Sequence, residues 1–400
     1  MIRNLIVRTL IPSKNINSIF QLKHLSHFNQ KSVLLKRKDS KHPRQGFESL
    51  YPSILTFLSE SKDFQPVYER FLRSVEYNIF NRDYYNCFPA IDIYARLVPD
   101  QKHTDDMVRL VHTLDWILEL LSTACVMIDD ELDLSQSRYY KKCWYTIPEI
   151  GTTSQIDTKM LEMAAYILLK KNFSDMPCYK PILDRLTYTY YITCMGQASD
   201  IYAGEEYNKN RNLSDHNLKT FNKTVYYKAY FVACRLTQYV VMDFLNYNYS
   251  TYSGIIDRFF INQSQWQQIQ NDVWDFCAKG KYRAGDKTDI VKGKLTWLIL
   301  TAQQYVNPTQ LKLLQDHYGK DNKESYEIVQ NIYFDIDIIK KYMDFKSYKI
   351  NVMAADIETI PNQDVRDSLY HIIDVTDKRD AVVISNTYAP RNDINVHSMG

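Results

Sequence analysis

The sequence predicts an all-α protein, and three observations carry that expectation. Apolar residues recur at helical spacing almost continuously from Phe47 onward. Gly 10 and Pro 12 are few for 400 residues, and β-hairpin signals are scarce. Two apolar stretches far apart in sequence each run into an acidic set at the same spacing: Asp129-Asp130-Glu131-Leu132-Asp133 and Asn271-Asp272-Val273-Trp274-Asp275. On a helix, Asp129 and Asp133 lie one turn apart on one face, where two carboxylates repel unless a cation sits between them.

Taken in order, residues 1 to 38 hold eight Lys/Arg and no Asp or Glu. Such an acid-poor, basic, amphipathic start reads as a mitochondrial targeting arm; without it the chain would be cytoplasmic. Residues 1–45 are assigned to this arm and its linker, 46–380 to one helical domain, and 381–400 to a polar tail. Expected helices run from Pro66 to Phe80, with proline in the first turn where it is tolerated, then from Asp92 to Leu97. A long buried helix from Met107 to Ile128 leads into the first aspartates. Asp157 to Lys171, Ile182 to Ala203 and Asn217 to Leu245 follow, and Phe259 to Phe276 carries the second acidic set.

Composition excludes several classes. A net charge of +2 without a basic stripe gives no nucleic-acid signal. Seven scattered cysteines with no CxxC pair indicate neither zinc nor a disulfide framework. Asp115 and Glu119 interrupt one long apolar run, and Arg235 and Asp243 another, so no membrane span is expected.

Facing aspartates suit magnesium, which takes oxygen ligands and bridges to a substrate's phosphates. Around them stand further ordered segments: Ser135-Gln136-Ser137-Arg138-Tyr139, Cys143-Trp144-Tyr145, Gly196-Gln197-Ala198-Ser199-Asp200, Tyr227-Lys228, Thr288-Asp289-Ile290 and Lys294. With these motifs the chain resembles the isoprenyl diphosphate synthases, farnesyl diphosphate synthases above all, from about Ser49 to Arg379. The resemblance implies the isoprenoid synthase bundle, a homodimer and metal-assisted ionisation of an allylic diphosphate. It implies that Asp129, Asp130 and Asp133, with Asn271, Asp272 and Asp275, hold three magnesium ions. Arg138, Lys228 and Lys294 would grip the diphosphate, with Gln197 and Gln268 beside it. The family's Lys before the Thr-Asp-Ile segment falls on Gly285, although Lys287 sits two residues on.

Where such synthases bind isopentenyl diphosphate, this chain departs from the pattern. The family's Lys and Arg fall on Asp83 and Asn86, a second Arg on Tyr139, a Gln on Ser122 and a Thr on Ala229. An Asp facing a pyrophosphate repels it, and Arg-to-Tyr deletes a bidentate donor. Residues four and five before the first Asp, usually bulky in farnesyl diphosphate synthases, are Ala124 and Cys125, which would deepen the pocket unless tyrosines elsewhere refill it. Together these departures resemble the terpene synthases that insects have recruited from this family. The expected reaction is ionisation of farnesyl diphosphate to a sesquiterpene, as in pheromone biosynthesis. Alternatives are a short-chain prenyltransferase making farnesyl or geranylgeranyl diphosphate, and a non-catalytic partner subunit.

Overall fold

A computed structural model describes residues 43–51, 65–80, 89–138, 141–228, 234–277 and 289–387. The basic arm up to residue 42 lies outside these residues. So do Asp83, Asn86, Tyr139, Ala229, Gly285, Lys287 and Thr288.

Fifteen α-helices make up the described chain. The first, α1 (Pro43–Ser49), packs on the long buried α4 (Asp105–Leu132). Phe47 stacks on Trp116, with ring centroids 4.2 Å apart, and the Trp116 indole N–H donates to the Phe47 carbonyl at 2.8 Å. Folded structure therefore begins before the expected start at residue 46. Next, α2 (Gln65–Val75) continues into a π-helical turn, Glu76–Phe80. In α3 (Ala90–Leu97), the cap position is Pro89, which supplies no side-chain acceptor. Asp115 of α4 takes that role, accepting from the Ala90 N–H at the positive end of the helix.

The Thr104 side chain caps α4 by accepting from the Met107 N–H. By length and composition this helix could cross a membrane, but 78% of that stretch is buried inside the bundle. It packs on α5 (Ser154–Phe173), which touches α6 (Tyr179–Asn210). The helix expected from Asn217 to Leu245 is described as two, α7 (Leu218–Lys228) and α8 (Cys234–Phe244). The second acidic set ends α9 (Ser253–Cys277). After it come α10 (Asp289–Lys292), α11 (Trp297–Tyr305), α12 (Pro308–His317) and α13 (Lys323–Asp335). Last are α14 (Ile338–Glu358) and α15 (Gln363–Thr387). Helix α9 packs on α7, α11, α14 and α15, so both acid-bearing helices are central. The only strands among the described residues are Ser137–Arg138 and Lys141–Lys142, an antiparallel pair just past α4.

The tail expected from residue 381 is helical to Thr387. Asp380, fully buried, bonds Lys346 at 3.0 Å and the Trp274 indole at 3.1 Å, and Ile384 is buried beyond it. Tyrosine, abundant in the sequence, serves here as core: Tyr94, Tyr207, Tyr318, Tyr333 and Tyr342 are fully buried.

Lys349 is a buried amine between α14 and α9, donating to Asn262 at 2.9 Å and Gln265 at 2.6 Å. Burial pushes its pKa down from 10.5 to about 7. Between those values the unfolded chain binds the extra proton, so this group adds stability as pH rises. Wild-type protein should gain up to about 1.4 kcal/mol per pH unit from it above pH 7. Lys349→Met should flatten that rise in urea titrations at pH 7 and 9, and an unchanged slope would refute the assignment.

Candidate active site

Asp129, on the face of α4 that also carries Ser122, Cys125 and Val126 half-buried, is the meeting point of three donors. Gln197 of α6 donates at 2.8 Å, Lys228 at the end of α7 lies at 3.2 Å, and Arg138 of the short hairpin at 3.3 Å. Burial alone would raise the Asp129 pKa, but Lys228, Arg138 and Lys294 outweigh it and hold the group ionised. Asp200, one turn past Gln197, pairs with Lys228 at 2.8 Å. Lys228 reaches this position because α6 and α7 touch at Gly196. A Cβ there would sit 2.2 Å from the Lys228 backbone nitrogen.

Asp130 points to Arg138, accepting from Nε at 2.7 Å and Nη2 at 2.6 Å on one oxygen. It orients the guanidinium, and burial raises its pKa despite that pairing. Asp133 caps the C-terminus of α4 and bonds Lys294 at 2.5 Å. The chain then turns sharply through Leu134, at φ 52°.

Across the cavity, Asn271 is exposed and Asp275 half-buried at the end of α9. Both Asp272 oxygens are already engaged: Gln268 donates to one at 2.9 Å and the Trp297 N–H to the other at 2.9 Å. Burial, then Asp289, pushes the Asp272 pKa up to about 8. Through these bonds Asp272 ties α9 to the start of α11. Lys294 lies 3.7 Å from Asp289. Burial opposes charge on Lys228 and Lys294, but the surrounding carboxylates raise both pKa values, so both stay ammonium.

These groups line one polar pocket of about 80 Å³, bounded by Asp129, Asp133, Arg138, Asp200, Lys228, Gln268, Asn271, Asp275, Asp289 and Lys294. The donors are oxygens, the set a hard divalent cation takes. No three acidic, His or Cys side chains among the described residues converge on one point. The ammonium groups of Lys228 and Lys294 stand between the carboxylates instead. That donor chemistry fits magnesium.

Ala124 and Cys125 part company. Ala124 has no exposed surface and belongs to the apolar core. Cys125 is half-buried, and the hydroxyls of Tyr166 on α5 and Tyr190 on α6 lie near enough to feel it electrostatically. Asp200 and Asp289 were legible only as parts of motifs; their place in the wall, with Trp274, Ser135 and Thr296, needed the fold.

The model of the polyprenyl synthetase family matches residues 90–336. A geranyl diphosphate synthase of Ips pini is 26% identical over 344 residues, covering 83% of this chain and 82% of its own. A farnesyl pyrophosphate synthase of Candida albicans is 28% identical, with 78% and 90% covered. The fold is that of T. brucei farnesyl diphosphate synthase in complex with a bisphosphonate, with TM-score 0.78 and 20% identity over 85% of this chain and all of that one. With its matched region covering both acid-bearing helices and every cation of the pocket, the chain belongs to the polyprenyl synthetase family, a family of enzymes.

Proposed function

We propose that the protein ionises a short allylic diphosphate with magnesium at this pocket. The observation that carries the reading is that Asp129, Asp133, Asn271 and Asp275 line one pocket together with Arg138, Lys228 and Lys294. Asp129, Asp130, Asp133, Asn271, Asp272 and Asp275 would hold the metal, up to three ions. Magnesium, when bound, supplies Lewis-acid stabilisation of the departing diphosphate. Arg138, oriented by Asp130, and the two lysines present fixed positive charge where negative charge develops. Gln197 and Gln268 hold Asp129 and Asp272 in place through their amide donors.

For the fate of the cation, the named relatives support prenyl transfer to isopentenyl diphosphate better than the terpene synthase expectation. A second reading, closure or quenching of the cation without a second substrate, is favoured by Asp83, Asn86, Ser122 and Tyr139, which offer a second diphosphate no cation. The experiment supplies purified protein and magnesium with geranyl and isopentenyl diphosphates, or with farnesyl diphosphate alone, followed by dephosphorylation and gas chromatography. Farnesol from the mixture establishes transfer. A hydrocarbon or new alcohol from farnesyl diphosphate alone establishes a terpene synthase. Neither product would sink the ionisation reading and leave a non-catalytic subunit.

A homodimer is the assembly proposed. Ile156, Met163 and Ile167 on α5 and Tyr191, Met195 and Tyr202 on α6 are exposed at helical spacing on touching helices. Exposed apolar side chains on two adjacent helices fit a second copy of the same face. Light scattering should give twice the 47.3 kDa chain mass. Tyr191→Glu combined with Met195→Glu should give monomer, and a monomeric wild type would refute the assembly.

A further inference from the structure

Lys294 sits on a segment whose backbone is captured from outside. In α10 and the turn after it, the carbonyls of Ile290, Lys292, Gly293 and Lys294 each take a donor from elsewhere in the chain. The Gly319 N–H reaches Ile290 at 2.9 Å. Asn208 Nδ2 reaches Lys292 at 3.0 Å, and the Tyr318 hydroxyl reaches Lys294 at 2.6 Å. His216 Nε2 lies 2.9 Å from the Gly293 carbonyl. A carbonyl only accepts, so His216 carries its proton on Nε2. Its ring is buried, and burial pushes its pKa down to about 4, which keeps it a neutral donor.

The donors are braced against one another. The Tyr207 hydroxyl donates to the Tyr318 carbonyl at 3.0 Å, and its ring stacks on His216 with centroids 4.4 Å apart. Arg211, the left-handed residue ending α6, donates to the Gly319 carbonyl at 2.7 Å. Gly293 and Gly319 both have positive φ, and a Cβ at either would meet the Tyr207 ring within 3 Å. No other residue fits that contact without strain. His216 and Tyr318 are absent from the pocket wall, yet Lys294 rests on them.

We propose that His216 and Tyr318 are positioning residues for Lys294: the cradle of captured carbonyls sets where its ammonium stands between Asp133 and Asp289, and so its grip on a diphosphate. The grip rests on the function proposed above; the placement of the ammonium does not. Groups held within a fraction of an ångström of productive geometry depend on such supporting bonds.

The test uses full-length Tyr318→Phe, His216→Leu and His216→Gln, the last keeping an amide donor in reach. Brief acetylation read by peptide mass spectrometry gives the labelling ratio of Lys294 to Lys228, and calorimetry gives the affinity for inorganic pyrophosphate with magnesium. Tyr318→Phe and His216→Leu should raise the ratio several-fold and weaken pyrophosphate roughly tenfold, or about 1.4 kcal/mol. His216→Gln should stay near wild type in both. A lower melting temperature with ratio and affinity unmoved would mean a merely structural cradle and overturn the inference. Failure of wild-type protein to bind pyrophosphate would overturn the diphosphate reading, while the labelling ratio would still decide the positioning.

Discussion

Asp129→Ala should lower turnover on the order of a thousandfold or more, since metal-assisted stabilisation of a leaving group is worth several kcal/mol. Asp129 is the group on which Gln197, Lys228 and Arg138 all converge. Removing it takes away a proposed metal ligand and one carboxylate partner each of Lys228 and Arg138, which also pair with Asp200 and Asp130. Asp133→Ala should behave alike, because Lys294 loses its shortest partner. Neither carboxylate belongs to the apolar core, so circular dichroism should stay helical. Turnover within tenfold of wild type in either variant would remove α4 as the seat of the chemistry.

The second large effect is expected at Gly196, far from any charge chemistry of its own. Its added Cβ would meet the Lys228 nitrogen at 2.2 Å and the Tyr227 carbonyl carbon at 2.4 Å. Both are backbone atoms, so the helices themselves must separate. Overpacking of this kind costs about 1–3 kcal/mol. Separation of α6 and α7 also carries Lys228 away from Asp129 and Asp200. A misplacement of about 1 Å costs on the order of a hundredfold in rate. Gly196→Ala should therefore show both a lowered melting temperature and a turnover loss of that order. Gly204→Ala, on the same helix but with nothing within 4 Å of the added Cβ, is the control and should leave both unchanged. Equal behaviour of the two variants would mean that the close approach does not set the site.

Helix existence was legible because apolar spacing is a local property of the chain. Helix ends were less so. The helix expected from Ile182 to Ala203 runs from Tyr179 to Asn210, because Tyr207 is buried against His216 and Tyr318, a stabilisation arriving from distant segments. The last helix likewise runs past the expected end of the domain at residue 380, where Lys346 and Trp274 hold Asp380. Neither partner is near in sequence.

The sequence by itself determined the all-α class and the two acid-bearing helices, since spacing and residue type decide these; the cations Arg138, Lys228 and Lys294 were legible only through the family resemblance of the motifs that hold them. Only the tertiary structure decided how each carboxylate is used. Asp130 and Asp272 hold the same place in their motifs, yet Asp130 accepts from Arg138 and Asp272 from the Trp297 N–H and Gln268. Ala124 and Cys125 are neighbours in sequence, yet one is sealed in the core and the other half-open toward the Asp129 face. A carboxylate's role follows from which donors reach its two oxygens, and those donors come from residues as distant as Gln197 and Lys294. That meeting is fixed by how the helices pack, which no local pattern records.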